Sequence, residues 1–129
     1  MPSGKAQSPV RAATPSLEVF AGSFAPNGSS NPDSTSNKGS GFSVVRNGSA
    51  GQWKVTITGA TFRNVVSVTA TLQLNALPVT SVELALLGAV GSDGSGNTTF
   101  ILQYRDNLTA ADISANANNR INFCLLGEP

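Results

Sequence analysis

The chain has 129 residues, a net charge of +1, a hydrophobic content of 40% and a charged content of only 12%. This length suits one domain with a core of its own, and the near-neutral charge gives no field that would attract nucleic acid or an anionic membrane. Because the chain has no histidine and one cysteine, histidine-based catalysis, an internal disulfide and a cysteine-based zinc site are excluded, and we expect neither a metal nor a cofactor.

The N-terminal residues 1–16 differ in composition from the rest of the chain. They contain Pro2, Pro9 and Pro15, two basic side chains and no acidic one. Such a segment cannot bury a core, which predicts an extended N-terminal arm over residues 1–16 ahead of a domain over residues 17–129. A disordered tail fits the same proline spacing, so that alternative stays open. No apolar run is long enough for a signal peptide or a membrane span, and we expect synthesis in a cytoplasm without a cleaved signal.

The first predicted strand lies in "SLEVFAGSF", where Leu17, Val19 and Ala21 alternate with polar or peripheral positions. Residues 25–41 follow it without any aliphatic side chain larger than alanine. Prolines, an asparagine-glycine pair and an aspartate supply turn chemistry in this stretch. Because no second core precedes it, we predict an ordered loop of one domain and not a linker between two domains.

The segment "GFSVVRNGSAGQWKVTIT" has the pattern of a β-hairpin. Phe42 to Arg46 and Gln52 to Thr58 alternate as strands, and the "NGSAG" between them accepts the positive φ values of a tight turn. Trp53, Val55 and Ile57 fall on one face of the second strand, which predicts that they enter the core.

Three further strands are predicted in the middle of the chain. Val79 to Leu87 contains helix-forming residues, yet its β-branched residues and the glycine-rich "GAVGSDGSGN" after it favour a strand. Thr98 to Arg105 predicts a strand with Phe100, Leu102 and Tyr104 on one face. Before both, "NVVSVTATLQLNA" predicts a long strand with these residues inward: Val66, Val68, Ala70, Leu72 and Leu74.

The stretch "LTAADISANANN" breaks the alternation that marks the strands. Thr109 has the character of a helix N-cap, and Asp112 stands three residues after it. This pattern predicts one short helical turn near residues 109–116.

The last predicted strand, "RINFCLLG", places Ile121, Phe123 and Leu125 on one face. Cys124 between them is expected to be a small buried thiol. About seven or eight short strands separated by turns predict an all-β domain, either a single antiparallel β-sandwich or a jelly roll. The strand order is left open.

Candidate catalytic and binding groups are few. Glu83 and Asp106 would have to face each other across a cleft to act as a glycosidase pair, and solvated surface acids are the simpler interpretation. Trp53 and Tyr104 are the candidate stacking platforms for sugars, but both fall in register with aliphatic neighbours, which favours core packing. We therefore expect a protein that is not an enzyme and that is recognised by its surface.

Two stretches of the chain resemble small virion proteins of tailed bacteriophages, of the capsid decoration or cement type. The first spans residues 20–74 and includes "FAPNGSS", "GFSVVRNGSAGQWKV" and "VSVTATLQL". The second spans residues 111–127 and reads "ADISANANNRINFCLLG". Cys124 and Ser34 to Ser36 have no counterpart in the family pattern, and the arm lies outside it.

The resemblance implies a non-enzymatic structural protein on the capsid exterior of a virion. Such a protein would bind the outer surface of the assembled capsid, contact the major capsid protein and stabilise the shell as a homo-oligomer, with a trimer favoured. An alternative is a receptor-binding or fibre-tip β-sandwich that recognises host surface glycans through its loops. Composition, and not a family motif, selects the candidate partner-binding residues: Lys5, Val10, Arg11, Leu17, Asn27, Asn31 and Lys38.

Overall fold

The computed structural model describes residues 17–129, which form an almost entirely β domain. One 3-10 turn, at Ser34–Ser36, is the only helical element in this range. No helix of these residues is long and apolar enough to cross a membrane. The predicted arm lies outside the described residues. The strands are β1 (Glu18–Phe24), β2 (Phe42–Arg46), β3 (Gln52–Ile57), β4 (Asn64–Gln73), β5 (Val82–Ser92), β6 (Thr98–Asp106), β7 (Thr109–Ala110) and β8 (Arg120–Glu128).

The strands form two antiparallel sheets. One sheet has the order β1-β8-β4, and the other has the order β2-β3-β6-β5 with β7 paired to β6. The predicted all-β, sandwich-like fold of about seven or eight strands is confirmed. Since β4 and β5 belong to different sheets, the connection of residues 74–81 passes from one sheet to the other.

The core lies between the two sheets, as alternation on three strands predicts. β3 contributes Trp53, Val55 and Ile57, and β6 contributes Phe100, Leu102 and Tyr104. β8 faces them with Ile121, Phe123 and Leu125, all buried. The Phe123 ring meets the rings of Phe42 and Phe100 edge-on, with centroids 5.0 and 5.5 Å apart. Each large apolar side chain buried in this way contributes roughly 1.5–3 kcal/mol before conformational entropy is subtracted.

The inward face of β1 differs from the prediction. Val19 is 64% exposed, whereas Phe24 is fully buried and Phe20 stacks on Phe123 at 6.5 Å. The aromatic residues of "SLEVFAGSF" take the core side because they remove more apolar area from water than valine and alanine do. The aliphatic alternation therefore marks the outer face of this strand.

A β-bulge changes one predicted position in β4. The pairing of β4 with β8 shifts register between Val65 and Ser67, and Val66 is 53% exposed. The extra residue of a bulge reverses the side to which the preceding residues point. Val65 and not Val66 therefore packs against the core, while Val68, Ala70, Leu72 and Leu74 face it as predicted.

The predicted helical turn near residues 109–116 is wrong. Thr109–Ala110 forms β7, because Asn107 and Leu108 adopt φ values of 51° and 66° and turn the chain back onto β6. The carboxylate of Asp112 bonds to Arg46 and Gly51 and does not support a helix N-terminus. Residues 111–116 have no regular secondary structure.

Two smaller predictions also need correction. Cys124 lies on the same face of β8 as Asn122 and Leu126. This face points away from the core, and Cys124 is only half-buried. The strand predicted at Val79 to Leu87 is present but runs from Val82 to Ser92, and the side chain of Val79 is fully exposed.

Candidate functional site

The loop of residues 25–41 lies at one end of the sandwich and is ordered by its own turns. Asp33 caps the 3-10 turn, since its side chain accepts the Thr35 N–H at 2.9 Å. The same contact and a bond from the Thr35 hydroxyl lower the pKa of Asp33. Pro26 and Pro32 are buried. Residues 25–41 thus form an ordered loop between β1 and β2, as their turn residues predict.

Arg120 and a backbone bridge fasten this loop to the three-stranded sheet. Ser23 and Lys38 exchange two backbone hydrogen bonds of 2.9 and 2.8 Å. The Arg120 side chain donates to Ser23 Oγ at 2.9 Å and to the Ser36 carbonyl at 2.8 Å. Arg120 is only 6% exposed. A buried guanidinium thus connects the loop to the first residue of β8.

A second connection joins β2 and the β2–β3 turn to the segment of residues 111–119. Arg46 donates to both carboxylate oxygens of Asp112, from Nε to Oδ1 at 3.0 Å and from Nη2 to Oδ2 at 2.9 Å. Asp112 Oδ1 also accepts the Gly51 N–H at 2.8 Å. The bonds from Arg46, followed by that from Gly51, hold the pKa of Asp112 below its ordinary value against the opposing effect of burial.

Asparagine side chains fix the segment of residues 111–119 in place. Asn119 Oδ1 accepts the Asn75 N–H at 2.8 Å, and Asn119 Nδ2 donates to the Ser114 carbonyl at 3.0 Å. Asn118 Nδ2 donates to Asn75 Oδ1 at 3.0 Å. The segment touches the loop directly, because the Gly28 N–H donates to the Ile113 carbonyl at 2.8 Å.

We call the loop of residues 25–41 together with residues 111–119 the end surface. Its two parts enclose a shallow cavity of about 270 Å³, whose lining includes Asn27, Asp33 and Asn116. Most of the exposed groups here are amides, hydroxyls and backbone. The arrangement is suited to hydrogen bonding with another macromolecule. Its charged side chains are those of Asp33, Lys38 and Asp112, and Asp112 is paired with Arg46.

The structure brings together only some of the predicted partner-binding residues. Asn27, Asn31 and Lys38 share the end surface, but Asn31 Oδ1 accepts the Arg46 N–H at 2.9 Å and so also supports the fold. Leu17 precedes β1, at the opposite end of that strand from the loop. Lys5, Val10 and Arg11 lie outside the described residues.

Sequence reasoning missed the two arginines that organise the end surface. Arg120 belongs to the same face of β8 as the outward-facing Asn122 and Cys124, so alternation predicts that it is exposed to solvent. It is buried because the loop lies over it. Arg46 and Asp112 are far apart in sequence, so spacing does not pair them. The sequence pattern instead places Asp112 in a helical turn, which the structure contradicts.

The candidate glycosidase pair does not form. β5 and β6 are paired, but Glu83 lies opposite Arg105 and Asp106 lies opposite Val82, so the two carboxylates leave opposite faces of the sheet. Glu83 forms an ion pair with Arg105 at 3.1 Å, and Asp106 accepts a bond from the Thr80 hydroxyl. Among the described residues, no group of three or more histidine, cysteine, aspartate or glutamate side chains is placed to hold a metal ion.

All the aromatic residues of the chain lie within residues 17–129, and none is exposed. The predicted core positions of Trp53 and Tyr104 are confirmed, with 0% and 6% exposure. Burial, assisted by the charge of Asp106, raises the pKa of the Tyr104 phenol. The surface therefore offers no fully exposed aromatic ring on which a sugar would stack.

Comparisons of the chain with protein-family models, curated proteins and solved structures give no match. The resemblance to virion proteins thus stays a prediction that rests on the residues quoted for it. The structure adds that both quoted stretches contribute to the end surface.

Proposed function

We propose that this chain is a non-enzymatic structural protein of a tailed bacteriophage, which binds the outer surface of the assembled capsid and stabilises it. The observation that carries the proposal is the end surface. Its two parts come from the two separate stretches that carry the resemblance, and they are joined through Arg46, Asp112 and Arg120. A fold that fastens these stretches together is expected if they act jointly as one contact surface.

The order of the end surface also supports binding to a large partner. Its loop is held by backbone bonds at Ser23 and Lys38 and by the buried Arg120, so little conformational entropy is lost when a partner docks. The groups that it exposes are mainly neutral donors and acceptors, which suits recognition by geometry rather than by long-range charge.

Capsid stabilisation would follow from linkage. A protein that binds the assembled shell and not the free capsid subunits stabilises the shell by about 2.7 kcal/mol per site when it is present at about 100 times its dissociation constant. Many copies that bind neighbouring capsid proteins add these contributions. Such a role needs a rigid surface and no catalytic group.

Recognition of host glycans, the alternative role, has weaker support. Sugar-binding sites commonly use exposed aromatic rings, and the rings of this chain are buried or half-buried. The polar end surface alone favours no sugar over a protein partner.

The test is a binding measurement with assembled capsids that lack this protein. We expect the purified chain to sediment with such capsids in many copies per particle and to raise the temperature at which they break open. Lys38→Glu, in the end surface, should weaken binding, whereas Arg63→Glu should not, because Arg63 is 74% exposed and adjoins β4 at the opposite end. No binding, or a few copies confined to the tail, would refute the proposal.

The role of the arm is tested separately. Deletion of residues 1–16 should abolish capsid binding and leave the melting temperature of the free protein close to that of the full chain. Binding that is unchanged by the deletion would refute the assignment of Lys5, Val10 and Arg11 while leaving the end surface as the contact.

A further inference from the structure

One side of the sandwich lacks a complete core. No residue of β4 or β5 is buried, although Val68, Ala70 and Leu72 on β4 and Val82 and Leu84 on β5 face the interior. Leu86 also has the inward parity of Leu84 and pairs with the buried Leu102, yet it is 39% exposed. These side chains are exposed because nothing in the described part of the chain covers the gap between the two edge strands.

The gap is a groove that runs along both strands. One part has a volume of about 470 Å³ and is lined by apolar residues, among them Val65, Val68, Leu86 and Val90, and by polar residues that include Arg63 and Asn64. The other part has a volume of about 580 Å³, and its lining includes Ala70, Leu72, Leu74, Val82 and Leu84. The space in each part is sufficient for several aliphatic side chains of a partner.

The opposite side of the sandwich is closed by the chain itself. There β1 and β2 are the edge strands, and Phe20 meets Phe42 edge-on with ring centroids 6.3 Å apart. The bridge between Ser23 and Lys38 adds backbone bonds to the free edge of β1. The open side is therefore a local feature and not a general looseness of the fold.

Protruding aliphatic side chains stand beside the groove. Leu77 is 92% exposed and Val79 is fully exposed, and both belong to the connection of residues 74–81 between β4 and β5. Leu77 also lines the second part of the groove, so this projection and the cavity lie on one surface, and Val79 follows it two residues later in the same connection. We call this surface, residues 64–92, the open side.

We propose that a second copy of this chain covers the open side. A surface that carries both a cavity and the projections to fill it is complementary to itself when two copies are related by a two-fold axis. Leu77 and Val79 of each copy would then enter the groove of the other. The free backbone edge of β5 would meet its own equivalent, since antiparallel pairing of identical strands satisfies the same donors and acceptors on both.

The low charge of the open side argues against a partner that is selected by opposite charge. Residues 64–92 contain a single charged residue, Glu83, and it is paired with Arg105 at 3.1 Å. A two-fold axis brings a surface close to its own copy, where unpaired like charges would repel. Arg63, which also lines the groove, is paired with Glu128 at 4.0 Å, so the open side has no unpaired charge that would repel its copy or select a partner of opposite sign.

This inference does not depend on the proposed capsid role, because it concerns the free protein in solution. It also differs from the trimer that the resemblance implies. A two-fold arrangement gives a dimer or an even multiple of it, so the mass of the assembly separates the two.

The test is the mass of the purified full chain, measured by sedimentation equilibrium over a wide concentration range. We expect a dimer, and we expect Val79→Lys to raise its dissociation constant on the order of a hundredfold, because each copy loses a buried valine and gains a buried charge. Since Val79 is fully exposed in the single chain, the variant should retain the circular dichroism spectrum of the parent.

Val19→Lys is the matched control, because Val19 is also exposed but lies on β1, away from the open side. It should leave the dissociation constant unchanged.

A second measurement uses Cys124→Ser chains that carry either Val79→Cys or Ala70→Cys, which should form a mixed disulfide when combined and oxidised. A monomer at every concentration, a trimer, or a dimer that Val79→Lys does not weaken would overturn the proposal.

Discussion

Arg46 and Asp112 are 66 residues apart in sequence and form a two-pronged ion pair, with bonds of 3.0 and 2.9 Å. The pair joins β2 to the segment that follows β7. Because Asp112 Oδ1 also accepts the Gly51 N–H at 2.8 Å, one carboxylate fixes the β2–β3 hairpin as well. The ion pair thus ties the segment of residues 111–119 to the five-stranded sheet.

Replacement of Asp112 by alanine should destabilise the protein. The change removes an acceptor of three hydrogen bonds and leaves the N–H of the buried Gly51 unpaired. The expected cost is about 1–3 kcal/mol. Urea unfolding measures the loss. The control is Glu83→Ala, which removes a solvent-exposed pair and should change the free energy of unfolding by less than about 0.5 kcal/mol. Equal losses in the two variants would contradict the structural role of Asp112.

The stability of the protein should fall in acid, partly through the same carboxylate. Asp112 has a folded pKa below its ordinary value of 3.8, chiefly through the bonds from Arg46. The stabilisation is fully present above 3.8 and is lost as the pH falls through the folded pKa. Bonds from Asn97 and Ser95 lower the pKa of Asp93, and those from Thr35 lower that of Asp33, so both add to the trend.

Melting temperatures measured against pH check this expectation. Asp112→Asn removes one titrating group, so it should lower the melting temperature at neutral pH and differ less from the parent as the pH falls below 3.8. Curves for parent and variant that stay parallel into acid would show that Asp112 does not contribute.

Regular alternation made the centre of the fold predictable from the sequence. Trp53, Val55 and Ile57 on β3 obey it because both neighbouring strands are in register and one face meets the core. Val66 does not, because a bulge is a property of how β4 pairs with β8 and leaves no local mark in the sequence. In β1, one face carries aromatic side chains and the other carries aliphatic ones. The alternation alone does not show which of the two faces meets the core.

The end surface was harder to predict than the sheets. The turn residues of the loop indicate that it is ordered, and they do so correctly at Asp33. The burial of Arg120 depends on the loop lying over a strand position that alternation assigns to solvent. The role of Asp112 depends on contacts with residues far away in sequence. Both are tertiary effects, which propensity and spacing do not encode.

Two glycines of the β2–β3 hairpin should respond very differently to alanine. Gly51 has a φ of +70°, and a Cβ there would lie 2.4 Å from the Ala111 carbonyl oxygen and 2.5 Å from that of Tyr104. Gly48 has a φ of +79°, but a Cβ there would meet nothing within 4 Å. Gly48→Ala should therefore cost only the backbone strain of about 1–2 kcal/mol. Gly51→Ala should cost roughly 1–3 kcal/mol more, because the backbone must shift.

Urea unfolding of the two glycine variants makes the comparison. Both changes add one methyl group to the same hairpin at positive φ, so their difference isolates the close approach of the backbone at Gly51. Similar losses would mean that both Ala111 and Tyr104 yield to the added methyl group at little cost.

Arg120→Lys should loosen the loop of residues 25–41 without unfolding the sandwich. The guanidinium donates to Ser23 Oγ and to the Ser36 carbonyl from two different nitrogens, and a single ammonium group cannot reproduce this fork. We expect amide hydrogen exchange at Ser36 and Lys38 to become roughly tenfold faster or more, because a buried bond to a charged donor is lost.

The amide of Tyr104, which donates to the Gly51 carbonyl at 2.8 Å, should keep its rate. Arg105→Lys, at an exposed arginine, is the control and should change none of the three. A uniform rise at all of these amides would instead show that Arg120 stabilises the whole domain and has no particular role in holding the loop.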